Sequence, residues 1–185
     1  MKEVVTGIDI GGTFTKFGLV SFDGEILEEG SIPSDQHDTI EPYINDLKLA
    51  IDRISENKDY VIKGLGIGAP NGNYYKGTIE YAPNLKWKGV IELSNLFRNS
   101  FNLPAVVTND ANAAAMGEML YGGAKGMKNF LMVTLGTGLG SGFVANGQII
   151  YGHDGFAGEL GHTIVDPEGR QCNCGRKGCL ETYVS

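Results

Sequence analysis

Four residues near the end of the chain have the types and spacing of a metal clamp: His162, then Cys172, Cys174 and Cys179, which are all three cysteines of the protein. One imidazole and three thiolates in C-x-C-x-x-x-x-C spacing form a closed tetrahedral set, which suits Zn2+ and leaves no position for a catalytic water. A disulfide framework is disfavoured, because the cysteine count is odd and stable disulfides are rare in a reducing compartment. Free buried thiols are the competing reading, since cysteine also packs as a small apolar side chain.

Two glycine-rich turns are the next candidates. In GIDIGGTFTKFG, residues 7–18, the glycines are not placed as a dinucleotide fingerprint and a strand follows instead of a helix; the Walker pattern occurs nowhere in the chain. What remains is a strand-turn-strand phosphate clamp. Gly11 and Gly12 present backbone N–H groups, Thr13 adds a hydroxyl, and Asp9 aims a carboxylate at a bound metal ion. A second burst, LGTGLGSG at 135–142, contributes Gly136, Thr137 and Gly138 as its partner. Plain hairpin turns are the alternative for either burst taken alone. A third candidate is the pair Asn109–Asp110 at the mouth of an alanine-rich segment. Asp110 is placed to act as a general base and either residue is placed to cap a helix, and the two roles are compatible.

These groups need elements to hold them. VVTGIDI (4–10), KFGLVSF (16–22) and EILEEGSIP (25–33) read as a three-stranded antiparallel meander, the last two joined across Asp23-Gly24. Apolar residues at 40, 44, 47, 51 and 54 recur at helical spacing, predicting an amphipathic helix over 40–56 capped by Asp38 or Thr39. A strand over 61–70, a turn-rich excursion with short strand-like pieces over 71–89, a helix over 90–101, a strand over 104–109 and a helix over 110–120 follow. A glycine-hinged hairpin is then predicted from 129–136 and 141–150. The order implies an α/β fold with a mixed sheet.

Composition excludes several classes. The chain holds 28 glycines in 185 residues, about twice the usual share, in bursts that suit turns bringing backbone close to a ligand. A net charge of −7 opposes nucleic-acid binding, and the one dense basic pair is Arg176-Lys177. No run of eighteen apolar residues exists and the start has no secretory pattern, so a cytoplasmic protein with no membrane contact is expected.

DIGGT, TNDANAAAMGE, LGTGLGSG, GELGH and CNCGRKGCLE, in this order between residues 9 and 181, resemble the ROK family of sugar kinases and repressors, and look most like its bacterial glucokinases. GELGH to CLE is the most specific part, while DIGGT is shared with the wider actin and hexokinase superfamily. The resemblance implies a ribonuclease H-like ATPase fold of two α/β lobes with the site in the cleft between them. Residues 1–121 would form the first lobe, and 122–185 the start of a second, incomplete lobe that includes the zinc loop. It implies ATP and Mg2+ at Asp9, Gly11, Gly12, Thr13, Lys16, Gly136, Thr137 and Gly138, and Asp110 as catalytic base. Hexose binding falls to Asn84, Asn109, Asp110, Glu159, His162 and Glu181, and structural Zn2+ to His162, Cys172, Cys174 and Cys179.

The function so implied is phosphorylation of a hexose, foremost glucose at its 6-hydroxyl. A sugar-sensing repressor of the same family, or a kinase for N-acetylmannosamine or fructose, is the alternative. Repressors carry a helix-turn-helix segment ahead of the first lobe, whereas DIGGT here starts within ten residues of Met1, which favours the kinase. Kinases of the family continue well beyond the CLE motif, so the 185 residues are expected to be an N-terminal portion with an incomplete nucleotide site and little activity alone. The family commonly forms homodimers.

Overall fold

The structure is a computed structural model that describes residues 1–56 and 58–185. The chain divides into two compact units, Met1–Asp110 and Ala111–Ser185.

The first unit opens with the meander of β1 (Lys2–Ile10), β2 (Phe14–Ser21) and β3 (Ile26–Pro33), followed by α1 (Ile40–Ser55) and β4 (Tyr60–Ala69). Three short strands, β5 (Gly72–Asn73), β6 (Thr78–Glu80) and β7 (Val90–Ile91), make a small antiparallel sheet before α2 (Leu93–Phe101) and β8 (Ala105–Asn109). The main sheet runs β3-β2-β1-β4-β8. Its meander pairs are antiparallel, and β1–β4 and β4–β8 are parallel. Strict alternation sends Val4, Thr6, Ile8 and Ile10 of β1 into the core, with Phe17 and Leu19 of β2 in register beside them. The helical stripe Ile40, Tyr43, Ile44, Leu47, Ile51 joins that core with Leu93 and Phe97 of α2, so the 3.6-residue and 2-residue periods meet on one face of the sheet.

The opposite face explains part of the glycine count. Gly18, Gly7 and Gly66 stand in register on three neighbouring strands. Beside them is a shallow cavity of about 600 Å3 lined by Gly7, Asp9, Lys16, Gly18, Val20 and Ile26. These glycines lie inside strands, not in turns.

Three local expectations are corrected. Thr39 takes the N-cap position of α1 but makes no side-chain capping bond, and Asp38 instead accepts from Lys86 Nζ at 3.3 Å. The second helix begins at Leu93, because Val90 and Ile91 pair with β6. The stretch 141–150 is not one strand: Asn146 (φ 54°) and Gly147 (φ 74°) adopt the left-handed conformation and fold it into a hairpin.

In the second unit, β9 (Phe130–Leu135), β10 (Leu139–Ala145) and β11 (Gln148–Ile149) form an antiparallel sheet in the order β11-β10-β9. The helix α3 (Asp110–Leu120) begins on the last residue of the first unit. β10 meets it through glycines, since a Cβ on Gly142 would stand 2.6 Å from that of Ala115 and one on Gly140 3.0 Å from that of Ala111. A single turn at Leu160–His162 and the closing helix α4 (Glu181–Val184) frame the cysteine loop. Among the described residues no helix is long and apolar enough to cross a membrane.

Candidate functional site

In the first unit the chemistry collects at the carboxyl ends of parallel strands, where open α/β sheets bind ligands. Asp9, near the end of β1, pairs with Lys16 on β2 and Gly68 on β4, and Gly68 pairs with Thr108 on β8. Asp110 follows directly as the first residue of α3, where the positive end of the helix dipole favours a carboxylate. Burial pushes the Asp9 carboxyl above its ordinary value; the negative charge of Asp110 adds to this and Lys16 opposes it. A carboxylate raised in this way by burial and a second negative charge is suited to a hard cation.

The turn from β1 to β2 is closed by the Gly11 N–H donating to the Phe14 carbonyl at 3.0 Å. Its glycines are required by close approach and not by left-handed backbone, for neither has positive φ. A Cβ on Gly11 would lie 2.8 Å from the Phe14 carbonyl oxygen, and one on Gly12 would lie 2.8 Å from that of Asn84. Behind the turn, the buried Thr15 hydroxyl shares hydrogen bonds with Ser34 Oγ (2.8 Å) and the Tyr43 hydroxyl (2.7 Å), while the Ser34 N–H donates to the Thr13 carbonyl at 2.9 Å. Asn84 itself is exposed, on the loop between β6 and β7 and between the buried side chains of Leu85 and Trp87. Asn109, half-buried, ends β8. The structure therefore gathers Asp9, the Gly11–Thr13 turn, Lys16, Asn84, Asn109 and Asp110 within one unit.

In the second unit the four expected metal ligands converge: one ligand atom from each of His162, Cys172, Cys174 and Cys179 lies within 4.8 Å of every other. Cys172 Sγ is 3.8 Å from His162 Nδ1, and the Sγ atoms of Cys174 and Cys179 are 3.6 Å apart. A tetrahedron with zinc–sulfur bonds of about 2.3 Å has sulfur–sulfur edges of about 3.8 Å, so the donor set fits Zn2+. The loop is held by the Cys172 N–H donating to the Arg176 carbonyl (2.8 Å) and the Gly175 N–H to the Cys172 carbonyl (3.0 Å). Gly178, at φ 70°, passes too close to the Asp166 carbonyl for any side chain. Burial and the bond to Glu181 push the Cys172 thiol up to about 12, whereas hydrogen bonds from Arg176, the backbone N–H foremost, bring Cys174 down to about 6.

The two ring nitrogens of His162 face different partners. Nδ1 faces the thiols and lies 3.5 Å from Glu181 Oε1, while Nε2 faces Glu159 Oε2 at 4.0 Å. Glu181 also accepts from the Cys172 thiol at 3.0 Å, and its Oε2 would lie 2.9 Å from a Cβ on Gly138. The Gly136–Gly138 turn, closed by the Gly136 N–H donating to the Gly138 carbonyl (3.0 Å), is thereby packed on the metal loop. Thr137 is exposed at its tip. The sequence reading overlooked the supporting residues Thr15, Ser34, Tyr43, Trp87 and Lys88. A usable signal was the apolar alternation of Leu85 and Trp87 around the polar positions of NLKW.

Comparison with known proteins places these features in a family. The pattern of the ROK family matches residues 5–185. A glucokinase of Halalkalibacterium halodurans is 43% identical, the match covering 97% of this chain and 56% of that protein. A xylose repressor of Bacillus subtilis is 33% identical, over 97% of this chain and 47% of the repressor. Among solved structures, a ROK family glucokinase from Streptomyces griseus in complex with glucose and AMPPNP superposes with a TM-score of 0.86 at 37% identity, covering 98% of this chain and 57% of that one. A ROK family transcriptional regulator reaches the same TM-score of 0.86 at 28% identity. The chain spans about half the length of the curated relatives it matches. The mixed α/β sheets, the glycine-rich turns and the Cys3His cluster belong together as one inheritance: this chain is a member of the ROK family, with the family's actin-like ATPase fold.

Proposed function

We propose that this chain carries the catalytic and hexose-binding residues of an ATP-dependent hexose kinase, with glucose phosphorylated at its 6-hydroxyl. The observation that carries the reading is the pair Asp9 and Asp110 at the carboxyl ends of β1 and β8, on either side of β4, with the glycine turn following Asp9. Asp110 accepts the proton of the sugar hydroxyl as that oxygen bonds to the γ-phosphorus and the bond from phosphorus to the bridging oxygen breaks, releasing ADP. The N–H groups of Gly11 and Gly12 and the hydroxyl of Thr13 cradle phosphate oxygens, and Lys16 offsets their charge. Gly136, Thr137 and Gly138 take the same role in the second unit. Asp9 would hold Mg2+, which neutralises charge developing on the phosphates.

Hexose hydroxyls are assigned to Asn84, Asn109 and Asp110 of the first unit and to Glu159, His162 and Glu181 of the second. Planar groups that each demand a partner reject an epimer that leaves them unpaired. His162, Cys172, Cys174 and Cys179 would hold structural Zn2+; Nδ1 of His162, which faces the thiols, would serve as its ligand atom, leaving Nε2 for a sugar hydroxyl.

Little turnover is expected of the 185 residues alone, so a panel of hexoses with ATP, assayed by ADP release on this chain joined to the remaining length that its glucokinase relatives carry, tests the proposal. Asp110→Asn should lower kcat by a factor of about 10² to 10⁴ while hexose affinity stays within a few-fold. Turnover by Asp110→Asn at the unmodified rate would refute its role as base. Hexose binding without turnover by that extended, unmodified protein would favour a sugar sensor, a reading supported by the repressor relatives.

A further inference from the structure

Asn84 sits on the loop from Tyr81 to Gly89, which has no regular structure and needs its own fasteners. At its base the Tyr81 N–H donates to the Gly89 carbonyl at 2.8 Å, with Tyr81 (φ 53°) and Gly89 (φ 84°) both left-handed. Inside it, Lys88 Nζ donates to the carbonyls of Pro83 (3.1 Å) and Leu85 (2.6 Å), the two residues flanking Asn84. Trp87, only 4% exposed, anchors the loop from beneath. Its indole N–H donates to the His37 carbonyl at 3.1 Å, and its ring lies 4.4 Å from that of Tyr43. Tyr43 in turn bonds Thr15, directly behind the phosphate turn, and the turn touches the loop again where Gly12 meets the Asn84 carbonyl.

We propose that Trp87 and Lys88 are positioning residues for hexose affinity. Together they hold Asn84 against Gly12, so that the hexose loop and the phosphate turn form one rigid piece. The inference rests on the reading of Asn84 as a hexose ligand and adds what fixes it in place. An ammonium bonded to two carbonyls supplies charge-assisted hydrogen bonds that a loop without a core of its own cannot replace. The indole N–H fixes the orientation of a ring that burial alone would leave free to slide. Neither side chain is assigned a contact with sugar or nucleotide, so their loss acts through Asn84.

Steady-state kinetics on the same extended protein test this, with hexose dissociation constants measured alongside on the 185-residue chain. Lys88→Met and Trp87→Phe should each raise the hexose KM about tenfold, with kcat and the ATP KM changing by less than about threefold. Lys88→Arg should restore most of the hexose affinity. Lys86→Met, on the same loop, removes only the exposed pair with Asp38 ahead of α1 and should leave all three constants unchanged. Lys88 is exposed and outside the core, so its variants remain informative if Trp87→Phe folds poorly. Asn84→Ala separates the two layers of argument. If it raises the hexose KM while Lys88→Met and Trp87→Phe do not, the positioning role is overturned and the assignment of Asn84 stands. If it leaves the hexose KM unchanged, Asn84 is not a ligand and the positioning proposal falls with it, while turnover still supports the kinase. A fall in melting temperature with unaltered hexose KM would make Trp87 and Lys88 merely structural.

Discussion

Stripping the metal from the cysteine loop should unfold that loop and leave the first unit intact. From Thr163 to Ser185 the buried residues are Cys172, Gly178 and Cys179, the regular structure is a single turn of α4, and two isolated bridges, Ile164 with Cys179 and Gln171 with Lys177, supply the rest. Burying two cysteine side chains contributes about 2 kcal/mol, while ordering each residue's backbone costs about 1–2 kcal/mol. Apolar burial therefore cannot order the loop, whereas a structural zinc contributes an apparent 10–16 kcal/mol or so in small metal domains. Hydrogen exchange read by mass spectrometry before and after chelation is the direct assay. Exchange across 163–180 should accelerate by at least about a thousandfold, equivalent to about 4 kcal/mol of lost local stability, with β1, β2 and β4 unaffected. Trypsin should then cut after Arg170, Arg176 and Lys177, all exposed and held in place only by the loop. Unchanged protection in a sample shown by elemental analysis to be free of metal would refute the argument that the metal, and not packing, orders this segment.

Other expectations follow from the same geometry. The folded-state pKa of Asp9 is raised, so its ionisation opposes folding as pH rises from the ordinary carboxylate value through the raised one. Asp9→Asn should thus raise stability at pH 7 and abolish turnover, the gain in melting temperature vanishing in acid; a lower melting temperature at pH 7 would contradict this. Gly142→Ala should destabilise by about 1–3 kcal/mol, because its new methyl would lie 2.6 Å from the Ala115 Cβ and 3.0 Å from the Ala111 carbonyl oxygen; a denaturant midpoint equal to that of the unmodified chain would show that α3 and β10 can part at no cost. Trp87 is the one tryptophan among the 185 residues, so saturating glucose should change its emission, read as the difference from Trp87→Phe, and no change at saturation would argue that the loop of Asn84 lies away from the sugar.

Most of the fold was legible because its periods are clean. The five-residue stripe of α1 and the alternation of β1 and β2 each bury one face, which leaves little freedom of assignment. The small sheet of β5, β6 and β7 was legible only as short strand-like pieces within 71–89, since two-residue and three-residue strands carry no period to fix their bounds or pairing. The 141–150 stretch misled for a different reason. Asn-Gly at 146–147 is a strong hairpin signal, but the apolar residues on both sides masked it. Glycine was read as a turn residue, and Gly7, Gly18 and Gly66 show its other use, keeping the surface of a sheet flat. In the site, the four metal ligands stood within one short stretch of sequence, and the structure brings their donor atoms together. The fasteners of Asn84 were illegible because each works through a backbone carbonyl, and a carbonyl has no sequence signature.

Glu181 ties the metal loop to the chemistry assigned around it. Its Oε1 accepts from the Cys172 thiol, a bond that exists only while that sulfur carries its proton. A metal-bound thiolate donates nothing, and at 3.0 Å an anionic sulfur repels the carboxylate instead. Loading the four ligands therefore leaves Glu181 in need of new donors. The other acidic side chain beside His162, Glu159, can supply none when ionised, and the imidazole Nδ1 is then engaged by the metal. Sugar hydroxyls are donors of the right kind. On the proposed reading the metal would do more than order a loop: by removing one thiol proton it would convert Glu181 from an internally satisfied acceptor into one available to a hexose, which would give the metal and the proposed sugar ligand a common purpose on one short segment.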